Sequence, residues 1–113
     1  MFETSELIYA ILNGYAPLMA VASKISPLLA SQKTDFPFVN FTLSEEPSFS
    51  KSGRYAYGLT INCFAEDYDT TLQIADLVKD ALAAHQIKFN YLGSQPEAQD
   101  GIIITSSNYS FKN

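Results

Sequence analysis

The spacing of apolar residues changes period several times along the chain, and each change predicts an element. Leu7, Ile8, Ile11 and Leu12 fall on one helical face, so residues 5–13 are expected to form a short amphipathic helix that Gly14 can end. Pro17 suits the first turn of a second helical stretch carrying Leu18, Val21, Ala22 and Ile25, which Pro27 would close. From Phe36 to Leu43 the period becomes two: Val39, Phe41 and Leu43 face one way, and Phe38, Asn40 and Thr42 the other. Pro37 lacks a donor and belongs at the start or on an edge of that strand. Ser44 to Arg54, with Pro47 and Gly53, is predicted as a polar loop.

The clearest strand follows. Tyr55, Tyr57, Leu59, Ile61, Cys63 and Ala65 alternate with Ala56, Gly58, Thr60, Asn62 and Phe64, giving one packed and one mostly polar face. Thr70-Thr71-Leu72-Gln73 fits a capping box with Thr70 as N-cap. It opens a long helix whose Leu72, Ala75, Val78 and Leu82 form a stripe widened by Ile74, Leu77 and Ala81, so the helix should lie flat on a sheet. After His85, the alternation of Ile87, Phe89 and Tyr91 predicts a third strand, Leu92 to Asp100 a second polar loop, and Gly101 to Lys112 a last strand. That last strand keeps no single phase, because Ile102 and Ile104 share one parity while Tyr109 and Phe111 take the other. Either a bulge near Ser106-Ser107 or burial of both faces would account for it. The order helix, helical turn, strand, strand, helix, strand, strand is that of an α+β domain in which a small, mostly antiparallel sheet is packed by a long helix. With 113 residues, all of the chain is expected to belong to one domain.

Composition narrows the function. Eight Phe and seven Tyr, without Trp, stand among neutral polar residues, a mixture suited to interfaces where a ring needs an apolar body and a polar tip. A net charge of −5 argues against a protein that grips nucleic acid by neutralising phosphates, and fits either a surface that serves solubility or one past which DNA slides without sticking. No apolar run approaches the roughly 18 residues of a membrane span, so no membrane partner is expected.

No catalytic constellation emerges. His85 has no acid–base partner nearby in sequence, and at a helix C-terminus it can interact favourably with exposed carbonyls. Cys63, the single cysteine, cannot form an intramolecular disulfide, suits a reducing compartment, and takes the apolar parity of its strand as a buried, inert thiol. Glu66, Asp67 and Asp69 lack the glycine and distal Glu of a calcium loop, and carboxylates before a helix are explained by its dipole. No phosphate-binding glycine motif occurs, and Tyr55 and Tyr57 beside Arg54 only faintly echo a base-stacking platform. The chain is therefore expected to be neither an enzyme nor a holder of cofactors or metals. The suggestive segment is 44–54, where Phe49 could fill a partner's pocket and Lys51 and Arg54 could steer it towards an acidic surface. Ile102 and Ile104 are the next partner-binding candidates.

Five pieces, taken in order, resemble the tail-completion proteins of tailed bacteriophages, also described as tail terminators or head–tail joining proteins. They are the N-terminal helix, Lys24-Ile25-Ser26-Pro27, Asp35-Phe36-Pro37-Phe38-Val39-Asn40-Phe41, the run from Leu59 to Tyr68, and the helix from Ile74 to Leu82. The resemblance implies an α+β structural protein of the virion tail or neck, assembled in the host cytoplasm. It further implies a homo-oligomeric ring, commonly a hexamer, that ends the tail tube and joins it to the head. Its partners would be the tail-tube and head–tail connector proteins, with DNA only a passing polymer. Two other readings stay open: a small ligand-binding or enzymatic α+β domain, and a prophage-derived accessory domain that binds one partner without forming a ring.

Overall fold

The computed structural model describes residues 2–22, 24–27, 36–49 and 55–113. Its elements are α1 (Phe2–Asn13), α2 (Ala16–Met19), β1 (Lys24–Pro27), β2 (Phe38–Phe49), β3 (Tyr55–Ala65), α3 (Tyr68–Ala83), β4 (Asn90–Gln99) and β5 (Ile102–Lys112). The strands form one sheet in the order β1-β2-β3-β5-β4, antiparallel except where β1 runs parallel to β2. The α+β class and the succession of helices and long strands are those expected from the sequence. The short strand β1 is an addition, standing where the pattern extended the second helical stretch to Pro27. That stretch is helical only over Ala16–Met19, and Ile25 reaches the core from a strand.

Strict alternation makes β3 the centre of the sheet. Tyr57, Leu59, Ile61, Cys63 and Ala65 are buried while the residues between them are partly exposed. Pairing carries this phase sideways, with Ile61 opposite Phe41 on β2 and Ser107 on β5. The parity that includes Val39, Phe41, Ile61, Tyr109 and Phe111 joins Ile8, Leu12, Leu18, Ile74, Val78 and Leu82 in one core, so all three helices cover the same side. Tyr57 stacks on Phe111 at 5.3 Å, and Phe89 closes on the same ring at 4.8 Å. Tyr55, by contrast, is exposed.

Several boundaries move for physical reasons. Asp67, not Thr70, caps α3: its carboxylate accepts the Thr70 backbone N–H at 2.9 Å and the Thr70 hydroxyl at 2.8 Å. Thr70 therefore lies within the first turn. Thr71 is fully buried and donates to the Tyr68 carbonyl, so the buried stripe centres on Thr71, Ile74, Ala75, Val78, Ala81 and Leu82, with Leu72 at its margin. β2 runs on through Glu46, Pro47 and Phe49, with a register shift between Glu45 and Phe49, where the sequence predicts loop from Ser44. Only Phe38–Phe41 of β2 pairs with β1, so Pro47 falls where the strand is a sheet edge and its missing donor breaks no ladder bond to β1. Leu92–Gln99, likewise predicted as loop, is most of β4, while Ile87 and Phe89 precede that strand. Asp100 and Gly101, with φ of 52° and 79°, form the tight turn that leads β4 into β5, a geometry Gly101 takes without strain.

β5 pairs with β3 in unbroken register, so the bulge considered near Ser106-Ser107 is absent there. The irregularity lies on β4, where Tyr91 opposes Tyr109 and Gly93 opposes Asn108, leaving Leu92 as the extra residue. Ile102 and Ile104 thus point away from the helices.

Two outcomes check this description. Ile61→Ala should lower the free energy of unfolding by about 2–5 kcal/mol in urea titrations, because its side chain is fully enclosed at the sheet centre. The Thr70 hydroxyl, and then the Thr70 amide, hold the Asp67 carboxyl below its ordinary value of 3.8. A depressed folded-state value means stabilisation present above the unfolded value and lost as pH falls through the folded one. Melting temperatures should therefore show the deficit of Asp67→Ala to be full at neutral pH and to shrink as pH drops below about 4.

Candidate functional site on the uncovered face of the sheet

The side of the sheet away from the helices carries Phe38, Asn40, Thr42 and Ser44 from β2, and Ala56 to Phe64 at even positions from β3. It continues with Ile102 to Ser110 at even positions of β5 and Gln95, Glu97 and Gln99 of β4. Among the described residues no helix packs on it, because every helix contributes to the core on the other side. The middle of this face is neutral and internally bonded. Asn62 donates to the Asn40 side-chain oxygen at 3.0 Å and accepts from the Ser106 hydroxyl at 2.7 Å, while Thr60 donates to Asn108 at 2.9 Å. One side chain thus ties three adjacent strands together, and its polar groups are already matched. This mid-face carries no described cation on which phosphates could neutralise.

The two ends of the face differ. At one, Phe38 stacks on Phe64 at 4.5 Å and meets Phe36 at 5.3 Å, and Ile104 lies opposite Phe64 on the next strand. Phe36, Phe64, Ile102 and Ile104 are only half-buried, so an apolar corner remains open to solvent. Towards the other, the β4 bulge turns Leu92 outwards to 66% exposure, beside a cavity of about 460 Å³ that runs along the β4 edge past Gly93, Asn108 and Ser106 to Glu97, opposite Ile104.

Of the residues singled out by sequence, Ile102 and Ile104 are brought together on this corner. Phe49 ends β2, on the opposite end of the sheet, and Lys51 and Arg54 lie outside the described residues. The apolar corner was only half signalled: the parity of Ile102 and Ile104 was visible, but not that Phe64 and Phe38 join them across three strands. Leu92 carried no signal, since a bulge on an exposed strand leaves no periodicity to follow.

The candidate reactive groups are otherwise engaged. The Asp67 carboxylate caps α3. His85 differs from the sequence expectation: its Nδ1 accepts the Ile87 backbone N–H at 3.2 Å, so it secures the turn after α3 as an acceptor. Cys63 is fully buried, and burial pushes its thiol up to about 12. On the helix side, Lys79 sits 3.9 Å over the Tyr91 ring, whose hydroxyl donates to Ser94, itself 2.7 Å from Ser107. Beside them the buried Tyr109 hydroxyl has no hydrogen-bond partner among the described residues, and loss of solvent raises its pKa above the usual phenol value. Among the described residues no group of three or more His, Cys, Asp or Glu is placed to hold a metal, and no helix is long and apolar enough to cross a membrane.

Comparison with known proteins places the fold. No protein-family model matches the sequence, and no curated protein sequence matches it. Among solved structures 27 chains match. One belongs to the virion of a native gene transfer agent particle; it superposes with a TM-score of 0.67 over 93% of this chain and 90% of its own, at 14% sequence identity. At that identity the likeness is one of fold, and it extends over nearly the whole of both chains.

Cys63 should resist a thiol reagent at pH 8 without denaturant, where a thiol at about 12 is ionised in only about one molecule in ten thousand, and react fully once unfolded. Rapid labelling of the folded protein would contradict the packing of β3.

Proposed function

We propose that the protein is a structural component of a phage-type virion, acting through its surfaces and not through catalysis. The observation that carries this reading is the likeness of fold, over 93% of this chain and 90% of the other, to a chain of a gene transfer agent virion. The engaged state of Asp67, His85 and Cys63 supports it, since each of these groups already has a structural task.

The finer proposal is a ring, of six protomers, that ends the tail tube and joins it to the head, assembled in the host cytoplasm and carried in the virion neck. A ring needs two different complementary patches on each protomer, and the sheet offers unlike surfaces at its two ends. Phe49, Lys51 and Arg54, at and beyond the end of β2, are proposed as a further contact with the tail-tube or connector protein. DNA would pass the ring without being held, as the neutral, internally bonded mid-face and the net charge of −5 favour.

Native mass measurement, alone and with tail-tube protein, tests the ring. The expected particle is six times the 12.5 kDa protomer. A strict monomer in both conditions would sink the ring reading, and hydrolase or transferase activity assignable to this chain would sink the structural one.

A further inference from the structure

We infer that the apolar corner of the uncovered face, formed by Phe36, Phe64, Ile102 and Ile104, receives the opposite end of a second copy of this chain, the end bearing Leu92, Lys88 and Lys112. The inference rests on the ring reading and assigns its protomer contact to two surfaces.

Charge identifies the occupant. Towards β3, β5 and β4 the corner is edged by carboxylates: Glu66 follows the end of β3, Glu97 lies opposite Ile104, and Asp100 sits in the turn that leads into Ile102, while on the β1 side Lys24 stands in register with Phe38. All three acidic residues are exposed. A partner for this corner must bring an apolar group flanked by cations. The far end of the same sheet has that combination. Lys88 and Lys112 are exposed and line one depression of about 520 Å³ with Gln86 and Asn90, and none of its lining side chains is a carboxylate. Leu92, the bulged residue on β4, projects from the sheet edge two residues beyond Asn90, which lines that depression. Glu45 is two strands away and on the helix-facing parity.

Ile104 and Lys112 are eight residues apart on one extended strand, roughly 26 Å. A single molecule cannot fold its own basic end onto its acidic corner across a rigid sheet of that length. The complementary surfaces can meet only between copies. Because they are unlike, the contact repeats from one copy to the next and can close as a ring. The division of labour is that of ordinary interfaces, with an apolar centre supplying affinity and a charged rim supplying orientation.

Paired charge reversal tests this directly. Lys88→Glu with Lys112→Glu, and separately Glu66→Lys with Glu97→Lys, alter only exposed side chains, and unchanged melting curves will verify that each variant folds. Each double variant alone brings like charges together and should raise the concentration needed for assembly at least about tenfold, with or without tail-tube protein. An equimolar mixture restores opposite charges at both kinds of contact and should recover a closed, even-numbered ring in which the variants alternate, seen by native mass spectrometry. Leu92→Ser should weaken assembly without changing the melting temperature. Rings that ignore both reversals would overturn this contact while leaving the ring reading intact. A mixture that stays dissociated, or stops at a dimer, would overturn the head-to-tail pairing. Wild-type protein that remains monomeric even with tail-tube protein would overturn both.

Discussion

The phase of β3 is the constraint on which the rest of the structure depends. Five buried side chains alternate with five at least partly exposed ones between Ala56 and Ala65, and both neighbouring long strands take their register from it. A one-residue slip would put Asn62 and Thr60 into the helix layer and Ile61 and Leu59 on the opposite face, so the register is held by the full difference between a buried apolar row and a buried polar one. The helices then have no freedom of side. The stripe of α3 can bury itself only on the apolar row, and α1 and α2 complete that layer through Ile8, Leu12 and Leu18.

The same alternation explains what the sequence disclosed. β3 and α3 were legible because each presents a clean period, two in one and 3.6 in the other, with one face buried. β4 was not, because nearly all of its residues are exposed, and a strand with solvent on both faces has no reason to alternate. Its composition, rich in Gln, Ser, Pro and Glu, suits an edge, where a missing donor at Pro96 and a charge at Glu97 discourage further pairing. The signal that could have revealed it was Asp100-Gly101, a turn pair that implies a strand on each side. β1 was hidden for another reason: Val21, Ala22 and Ile25 keep a helical spacing although the chain is already extended at Ile25, so local pattern yielded to pairing with β2.

The double phase of β5 is also resolved by the second face. Thr105, Ser107, Tyr109 and Phe111 serve the core, including two small polar residues that sequence alone would not put there, while Ile102 and Ile104 serve the apolar corner. The apolar residues on either parity were both informative, one about folding and the other about what the folded sheet exposes. Of the partner-binding candidates, then, Ile102 and Ile104 acquired a structural setting through Phe64 and Phe38, which no local window around Ile102 contains.

A sheet with one face committed to the core separates stability from recognition. The core cluster draws on one parity of β2, β3 and β5, whereas the aromatic corner, the Asn40–Asn62–Ser106 chain and the exposed Leu92 belong to the other parity or to the edge. The bonded amide chain ties the centre of the face together, and under the proposed ring contact recognition falls to the two ends, where exposed side chains are apolar or charged. Two recognition surfaces held at a fixed separation by a rigid sheet cannot satisfy each other within one copy. For the corner and the basic end to meet, two copies are needed, and under the proposed ring contact each copy brings to its neighbour's corner the chemistry assembled on its own opposite end.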